Sequence, residues 1–279
     1  MKQAIGLLML VSSLAAFGQT KRSVLVITDA EGVAGVCRQE LTENNSAELR
    51  QLLAGETNAA VDGFLAGGAD EVVVWDGHGG SATLSAATIH PKARLISGAI
   101  GSDYLMNRGF AAVAYVGQHA RAGRRPAVMA HSYSSLGIQK ILMNGKPVGE
   151  IETIAAMAGH FNTPVIFLSG DQAAAEDLRA IVPGAVTVAV KEALAYYACI
   201  SMSATAARDA IRDGAARSMK EIGRIRPYRV EGPVTIEVEH TTRNTLPADV
   251  PAGAEVVDAR TMRYTGKTFL EAWRRWRGR

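Results

Sequence analysis

Short, almost wholly apolar segments rich in β-branched residues recur along the chain, and helical stretches lie between them. Residues 47–65, for example, place leucine, valine and phenylalanine at helical spacing. Near-continuous apolar strands that alternate with helices predict a mostly parallel sheet covered on both faces, which is a three-layer αβα fold of the α/β class. The predicted strands lie at residues 23–28, 71–75, 111–116, 164–168 and 185–190.

Acidic and histidine residues follow three of these strands directly. Asp29 and Glu31 come after the first strand, His78 after the second, and His119 after the third. In open α/β sheets, ligands bind in the crevice outside the carboxyl ends of the strands. We therefore expect these four side chains to share one rim of the sheet.

Two carboxylates and two imidazoles at one rim require a compensating interaction. Without a positive partner the carboxylates would repel each other, and each would lose solvation on burial. A divalent cation resolves both problems, although a single histidine of this kind is more often an ordinary hydrogen-bonded residue. Mixed oxygen and nitrogen ligands without cysteine suit Zn²⁺ in a hydrolytic role, and leave Mn²⁺ or Co²⁺ open.

Two further polar residues are placed for chemistry. His131 follows Val128-Met129-Ala130, and Glu150 opens a predicted helix after a Pro-Val-Gly sequence. A carboxylate in the first turn of a helix is also a routine partner of the helix dipole, so Glu150 has a purely structural alternative.

Five separated motifs carry a family resemblance. They are Asp29-Ala30-Glu31-Gly32, Asp76-Gly77-His78, Gly117-Gln118-His119-Ala120-Arg121-Ala122, Val128-Met129-Ala130-His131-Ser132 and Pro147-Val148-Gly149-Glu150. In this order the chain resembles the DppA-type zinc D-aminopeptidases. The resemblance covers residues 23–200 and is thinner over 201–279.

The resemblance implies a full set of site residues. It places a catalytic histidine at His131 and implies two zinc ions per chain. Our hypothesis is that Asp29 bridges the two ions. Glu31 and His78 would complete one site, and His119 and Glu150 the other. The implied metal ligands are Asp29, Glu31, His78, His119 and Glu150.

The same resemblance implies an activity, namely hydrolysis of short peptides with an N-terminal D-residue, such as D-Ala-D-Ala. A metal-activated hydroxide would attack the peptide carbonyl, assisted by His131 as proton donor, oxyanion stabiliser or nucleophile. Asp76 is expected to orient a histidine. The family also implies a ring-like homo-oligomer. Trp75, Gln118 and Gly79-Gly80 depart from the family pattern and would change the pocket wall.

Two other functions fit the same residues. One is another exported metal-dependent amidase or esterase. The other is a non-catalytic peptide-binding protein with a structural metal, which would bind dipeptides without turnover. The ranking of L-peptides, amides and esters as substrates would separate the amidase or esterase from a D-aminopeptidase.

The first 18 residues have the pattern of a secretory signal peptide. Lys2 precedes an apolar stretch, and Ala16 and Gly18 provide a small-x-small cleavage site. The stretch is short for a membrane span of about 20 residues, although a retained anchor helix is the alternative. The pattern predicts a periplasmic or secreted protein with no stable membrane association after cleavage.

The net charge, the two cysteines and the order of the predicted elements give the remaining predictions about partners, disulfides and domains. The net charge of +3 is too small to indicate nucleic acid as a partner. Cys37 and Cys199 are far apart in sequence and are expected as free thiols, with pairing left open. Residues 19–192 are predicted to form the α/β metallohydrolase domain. Residues 193–279 are predicted to form a smaller α+β subdomain with oligomer contacts.

Overall fold

The computed structural model describes residues 21–43, 45–242, 246 and 249–278, so the predicted signal peptide lies outside the described residues. Their helices and strands follow one another as β1 (Ser23–Thr28), α1 (Gln39–Glu43), α2 (Ala47–Ala66), β2 (Glu71–Asp76), β3 (Ala93–Ile96), α3 (Ser102–Met106), β4 (Ala112–Gln118), β5 (Ile138–Met143), β6 (Lys146–Val148), α4 (Glu150–His160), β7 (Val165–Asp171), α5 (Gln172–Ile181), β8 (Val186–Ala195), β9 (Ala198–Ser201), α6 (Ala204–Glu221), β10 (Val234–His240), β11 (Ala254–Val256), β12 (Thr261–Gly266) and α7 (Phe269–Arg277).

The central sheet confirms the predicted α/β class. Among the described residues its order is β3-β2-β1-β4-β7-β8-β9, and only the β8–β9 pair is antiparallel. Every residue of β1, β4 and β7 is buried, which explains why these strands are apolar without alternation. The chain leaves β1 through α2 in one direction and β7 through α5 in the other. Right-handed crossovers therefore place α2 and α5 on opposite faces of the sheet.

The order of the strands reverses beside β1. The chain builds β2 and β3 on one side of β1 and then returns to add β4 on the other side. Such a switch point opens a crevice between the carboxyl ends of the two diverging strands. The segments that follow β1 and β4 carry the predicted site residues Asp29 and His119.

A second sheet lies in the later part of the chain, with the order β11-β12-β10-β5-β6 and antiparallel neighbours throughout. Helix α7 packs against β12 and β10, and α6 packs against α2 of the main layer. The predicted boundary at residues 192–193 falls inside β8, and the second sheet takes strands from both sides of it. Our division into two domains stays a prediction. None of the helices in the described part of the chain has the length and apolar character needed to cross a membrane.

Cys37 and Cys199 form a disulfide, so the expectation of free thiols was wrong. Their Cα atoms are 6.0 Å apart, within the usual range for a disulfide. Strand β9 folds back on β8 and thereby brings Cys199 beside the segment that follows β1. A separation of 162 residues gives no local signal of that pairing.

Reduction of this disulfide is expected to lower the free energy of unfolding by about 2–5 kcal/mol, because the bond closes a long loop in the unfolded chain. Urea unfolding with and without a reductant measures the change. The double variant Cys37→Ser/Cys199→Ser is the control, and its stability should match the reduced protein and not respond to reductant. Equal stability of the oxidised and reduced wild type would contradict the prediction.

Candidate metal centre

The six residues predicted from the sequence meet in one cavity of about 400 Å³ at the carboxyl ends of the central strands. Four of them follow the three strands β1, β2 and β4, as the strand-end argument requires. The other two elements that contribute are the loop before β5 and the start of α4. The six residues are Asp29, Glu31, His78, His119, His131 and Glu150.

Asp29 lies between two histidines and presents one carboxylate oxygen to each. Its Oδ1 is 3.2 Å from His78 Nδ1, and its Oδ2 is 3.2 Å from His119 Nε2. The Gln118 side-chain amide donates to Oδ2 at 3.1 Å, and the Ala30 backbone N–H donates to Oδ1 at 2.9 Å. The carboxylate is therefore fixed in orientation, with one oxygen on each side of the cavity.

Glu31 is buried beside His78 with an incomplete set of partners. The side chain is 4% exposed, and Oε2 lies 3.3 Å from His78 Nδ1. This Oε2 makes no hydrogen bond in the described part of the chain, and the charge of a protonated His78 is its compensation when no metal is bound. A buried carboxylate oxygen without a donor is costly, and a cation at this point would remove that cost.

Each of the three histidines uses one ring nitrogen to bond a backbone carbonyl. These nitrogens carry the proton in a neutral ring, so the other nitrogen of each ring keeps its lone pair. Metal-binding histidines usually have this arrangement. The pairs are His78 Nε2 with the Thr42 carbonyl (3.3 Å), His119 Nδ1 with the Ala120 carbonyl (2.9 Å) and His131 Nδ1 with the Met129 carbonyl (2.8 Å).

Two groups of side chains could each hold an ion with ligand atoms that all lie within 4.8 Å of one another. One group is Asp29, Glu31 and His119, and the other is His119, His131 and Glu150. The His131 ring stacks on His119 with centroids 4.0 Å apart. Our sequence analysis gave His131 a catalytic role, as proton donor, oxyanion stabiliser or nucleophile, and not a role as a metal ligand. The structure places it where it could serve either purpose.

The carboxylates and histidines of the site shift one another's pKa values. Burial alone would lower the pKa of His78, but Asp29 and Glu31 raise it to about 11. Burial alone would raise the pKa of Asp29, but His119 and His78 hold that pKa well below its usual value. His78 and His119 therefore hold protons that metal binding at this cavity would release.

Asp76 does not orient a histidine ring, which corrects one expectation. Its Oδ2 accepts the backbone N–H groups of Thr83 (2.7 Å) and Leu84 (2.8 Å). Burial raises its pKa. Asp76 therefore fixes the loop that follows His78, and it acts on the site through the backbone.

Tyr133 is a residue that the sequence analysis missed. Its backbone N–H donates to Glu150 Oε1 at 2.5 Å, and its hydroxyl lies 2.5 Å from Thr153 Oγ1. The ring packs against Trp273 and Trp276 of α7, with centroid distances of 5.9 and 5.4 Å. The C-terminal helix therefore supports the loop that holds Glu150. The backbone of Tyr133 has a φ of 60°, and no pattern in the sequence predicts that conformation.

Replacement of Trp273 by alanine is expected to weaken the metal site as well as the fold. The lost burial should lower the free energy of unfolding by about 3–5 kcal/mol. It should also weaken metal affinity, because Tyr133 loses its support. Phe64→Ala, in the core of α2, is a matched control that should lose stability and keep its metal affinity. Equal metal affinity in the two variants, measured by titration of the folded proteins, would contradict the prediction.

Comparison with known proteins gives three matches. The sequence model of the Peptidase_M55 family, described as D-aminopeptidase, matches residues 23–277. A D-aminopeptidase of Bacillus subtilis (strain 168) is 27% identical over 254 residues, which span 88% of this chain and 92% of that protein. A solved structure described as the Zn-dependent D-aminopeptidase DppA from Bacillus subtilis, a self-compartmentalizing protease, is similar with a TM-score of 0.81. It is 24% identical, and the match covers 92% of this chain and 96% of that one.

Proposed function

The chain belongs to the D-aminopeptidase family Peptidase_M55, and from that premise we propose that it is a zinc enzyme that removes N-terminal D-residues from short peptides. Family membership makes it an aminopeptidase, which is a hydrolase of peptide bonds. The observation that carries the proposal is Asp29, whose two oxygens each face one histidine at 3.2 Å. A carboxylate held in this way fits a bridge between two cations.

These contacts support the proposed ligand sets. Asp29 would bridge two zinc ions, with Glu31 and His78 on one side and His119 and Glu150 on the other. The buried Glu31 oxygen without a donor supports a cation on its side. The contacts of Asp29 Oδ2 (3.2 Å) and Glu150 Oε1 (3.7 Å) with His119 Nε2 support one on the other side.

When bound, zinc supplies Lewis acidity and lowers the pKa of water to about 7. The protein side chains supply the remaining needs of the reaction. The carboxylates of the cavity attract the free α-amino group of the substrate. The Nδ1–H of His131 donates to the Met129 carbonyl. Nε2 is therefore the atom that exchanges a proton with the leaving amine.

The cavity suits a small substrate. Its volume of about 400 Å³ lies at the small end of the range for ligand sites. Apolar side chains of Ile27, Trp75, Leu136 and Ile154 line it beside the polar residues. We therefore propose dipeptides of the D-Ala-D-Ala type as substrates, with the preference for the D-residue resting on family membership.

We also propose that the enzyme is exported and forms a ring-like homo-oligomer. The Cys37–Cys199 disulfide supports export, because disulfides persist in oxidising compartments. A ring is supported by the similarity to the solved Bacillus subtilis enzyme, which is described as self-compartmentalizing. Exposed apolar side chains of the β8–β9 hairpin, including Leu194, Tyr197 and Ile200, offer a surface for such contacts.

The test combines metal content with product analysis. The mature protein should hold two zinc ions per chain by elemental analysis and release D-alanine from D-Ala-D-Ala, and a chelator should stop this release. One zinc ion per chain in the active enzyme would overturn the bridging role of Asp29. Faster cleavage of D-alanine esters or simple amides than of the dipeptide would favour an amidase or esterase instead.

A further inference from the structure

Lys191 is a buried charged residue that the proposed chemistry does not use. It lies in β8 and is 3% exposed. It is absent from the residues that line the metal cavity in the described part of the chain. Its ammonium therefore lies outside the cavity proposed for the substrate.

The Lys191 ammonium binds one segment of backbone. It donates to the carbonyl oxygens of Glu31, Val33 (3.0 Å) and Val36. A lysine ammonium has three N–H donors, so all three are used within this one segment. We call residues 29–36 the ligand turn, because they begin with Asp29 and Glu31.

The ligand turn belongs to no helix or strand and yet is mostly buried. Its N–H groups are bound from several sides, by the Gly117 carbonyl at Gly32 (2.7 Å) and by Glu56 Oε1 at Ala34 (2.8 Å). Buried carbonyl groups also need partners, and Lys191 supplies them. Lys191 thus adds three hydrogen bonds to those that β4 and α2 already make with the turn.

We propose that Lys191 is a positioning residue, which fixes the ligand turn through three carbonyl groups and so holds the Glu31 carboxylate in place for the metal. Asp29 is held independently, because it follows β1 directly and its backbone N–H bonds the Val116 carbonyl at 2.8 Å. Glu31 lies two residues further on and depends on the turn. This inference rests on the proposed function, since it assigns Glu31 to one of the two ions.

A purely structural role for Lys191 makes a different prediction. The ammonium also interacts electrostatically with the buried carboxylates of Glu56 and Asp171. If neutralising them were its whole role, its loss would cost stability and leave the metal site of the folded protein unchanged. Positioning requires that the turn loosen and that the Glu31 side of the site bind metal less tightly.

The test compares Lys191→Met with Leu178→Ala. Leu178 is fully buried in α5, a helix that packs against β7, β8 and α4, so its loss should lower stability away from the ligand turn. Hydrogen exchange in the metal-free proteins should be faster over the ligand turn in Lys191→Met and unchanged there in Leu178→Ala. Titration with Co²⁺, followed by its visible spectrum, should show one of two binding phases weakened by about 10- to 100-fold in Lys191→Met only.

The variant Lys191→Gln keeps two N–H donors but removes the charge. It is used for the same measurements if Lys191→Met does not fold. It should show the same changes to a smaller extent. The inference would be overturned if the Lys191 variant had the same hydrogen-exchange rates over the ligand turn as the wild-type protein and bound Co²⁺ with the same affinity in both phases. A wild-type protein that bound no Co²⁺ would overturn the proposed function, while the exchange rates of the ligand turn would still decide whether Lys191 fixes it.

Discussion

Asp29→Asn is expected to lower kcat/KM for a D-peptide by about 10³-fold or more and to leave at most one zinc ion per chain. Asparagine keeps the shape of the side chain but removes the charge that faces His78 and His119. Loss of a single preorganised electrostatic group already costs about 10²–10³-fold in other enzymes. Here the change reaches both proposed ions, because Asp29 contacts both sides of the cavity.

The matched control is Asp62→Asn. Asp62 lies on α2, is half exposed and pairs with His90, outside the metal cavity. Its variant should keep wild-type metal content and activity. Elemental analysis after dialysis and a kinetic assay of each variant decide the matter. An Asp29→Asn enzyme with two zinc ions and near-normal activity would contradict a bridging carboxylate.

His131→Ala is expected to keep the bound zinc and to lose about 10²- to 10⁴-fold in kcat, the usual contribution of a general acid or base. His131 is held by its Nδ1 bond to Met129 and by its stacking on His119, so its Nε2 has a fixed position in the cavity. Proton transfer to the leaving amine needs such a group, whereas the proposed ligand sets are complete without it.

Metal content is the deciding measurement for His131, because the residue also falls in a group with His119 and Glu150 that could hold an ion. Loss of zinc together with activity would make His131 a ligand. Full activity with full zinc would remove it from the mechanism. His90→Ala, outside the metal cavity, is the control and should change neither quantity.

The rim of the site was predictable because parallel strands end on one side of a sheet. Asp29, His78 and His119 each follow a buried strand, and their meeting needs only the parallel arrangement that apolar strands indicate. Glu31 follows from the same logic, since it lies two residues beyond Asp29. His131 and Glu150 were noticed in the sequence as polar residues, but their roles at the site came only from the family resemblance, because neither follows the end of a central strand.

Other features depend on contacts between distant parts of the chain. The second sheet pairs β5 with β10, which are separated by about a third of the chain, and no local pattern specifies that partner. The bond between Cys37 and Cys199 depends on the return of β9 along β8. The sequence gives one indication that Lys191 is unusual, because a lysine there directly follows an apolar strand. Its three carbonyl partners are visible only in the structure.

The most direct test of the account is hydrolysis of D-Ala and L-Ala p-nitroanilides by the zinc-loaded protein, with a chelator-treated sample beside it. The account predicts release of p-nitroaniline from the D-substrate only, loss of this activity with chelator and recovery when zinc is restored. Cleavage of the L-substrate at an equal rate would contradict the D-specificity. Cleavage of the D-substrate that persists in chelator would contradict a catalytic metal centre at Asp29.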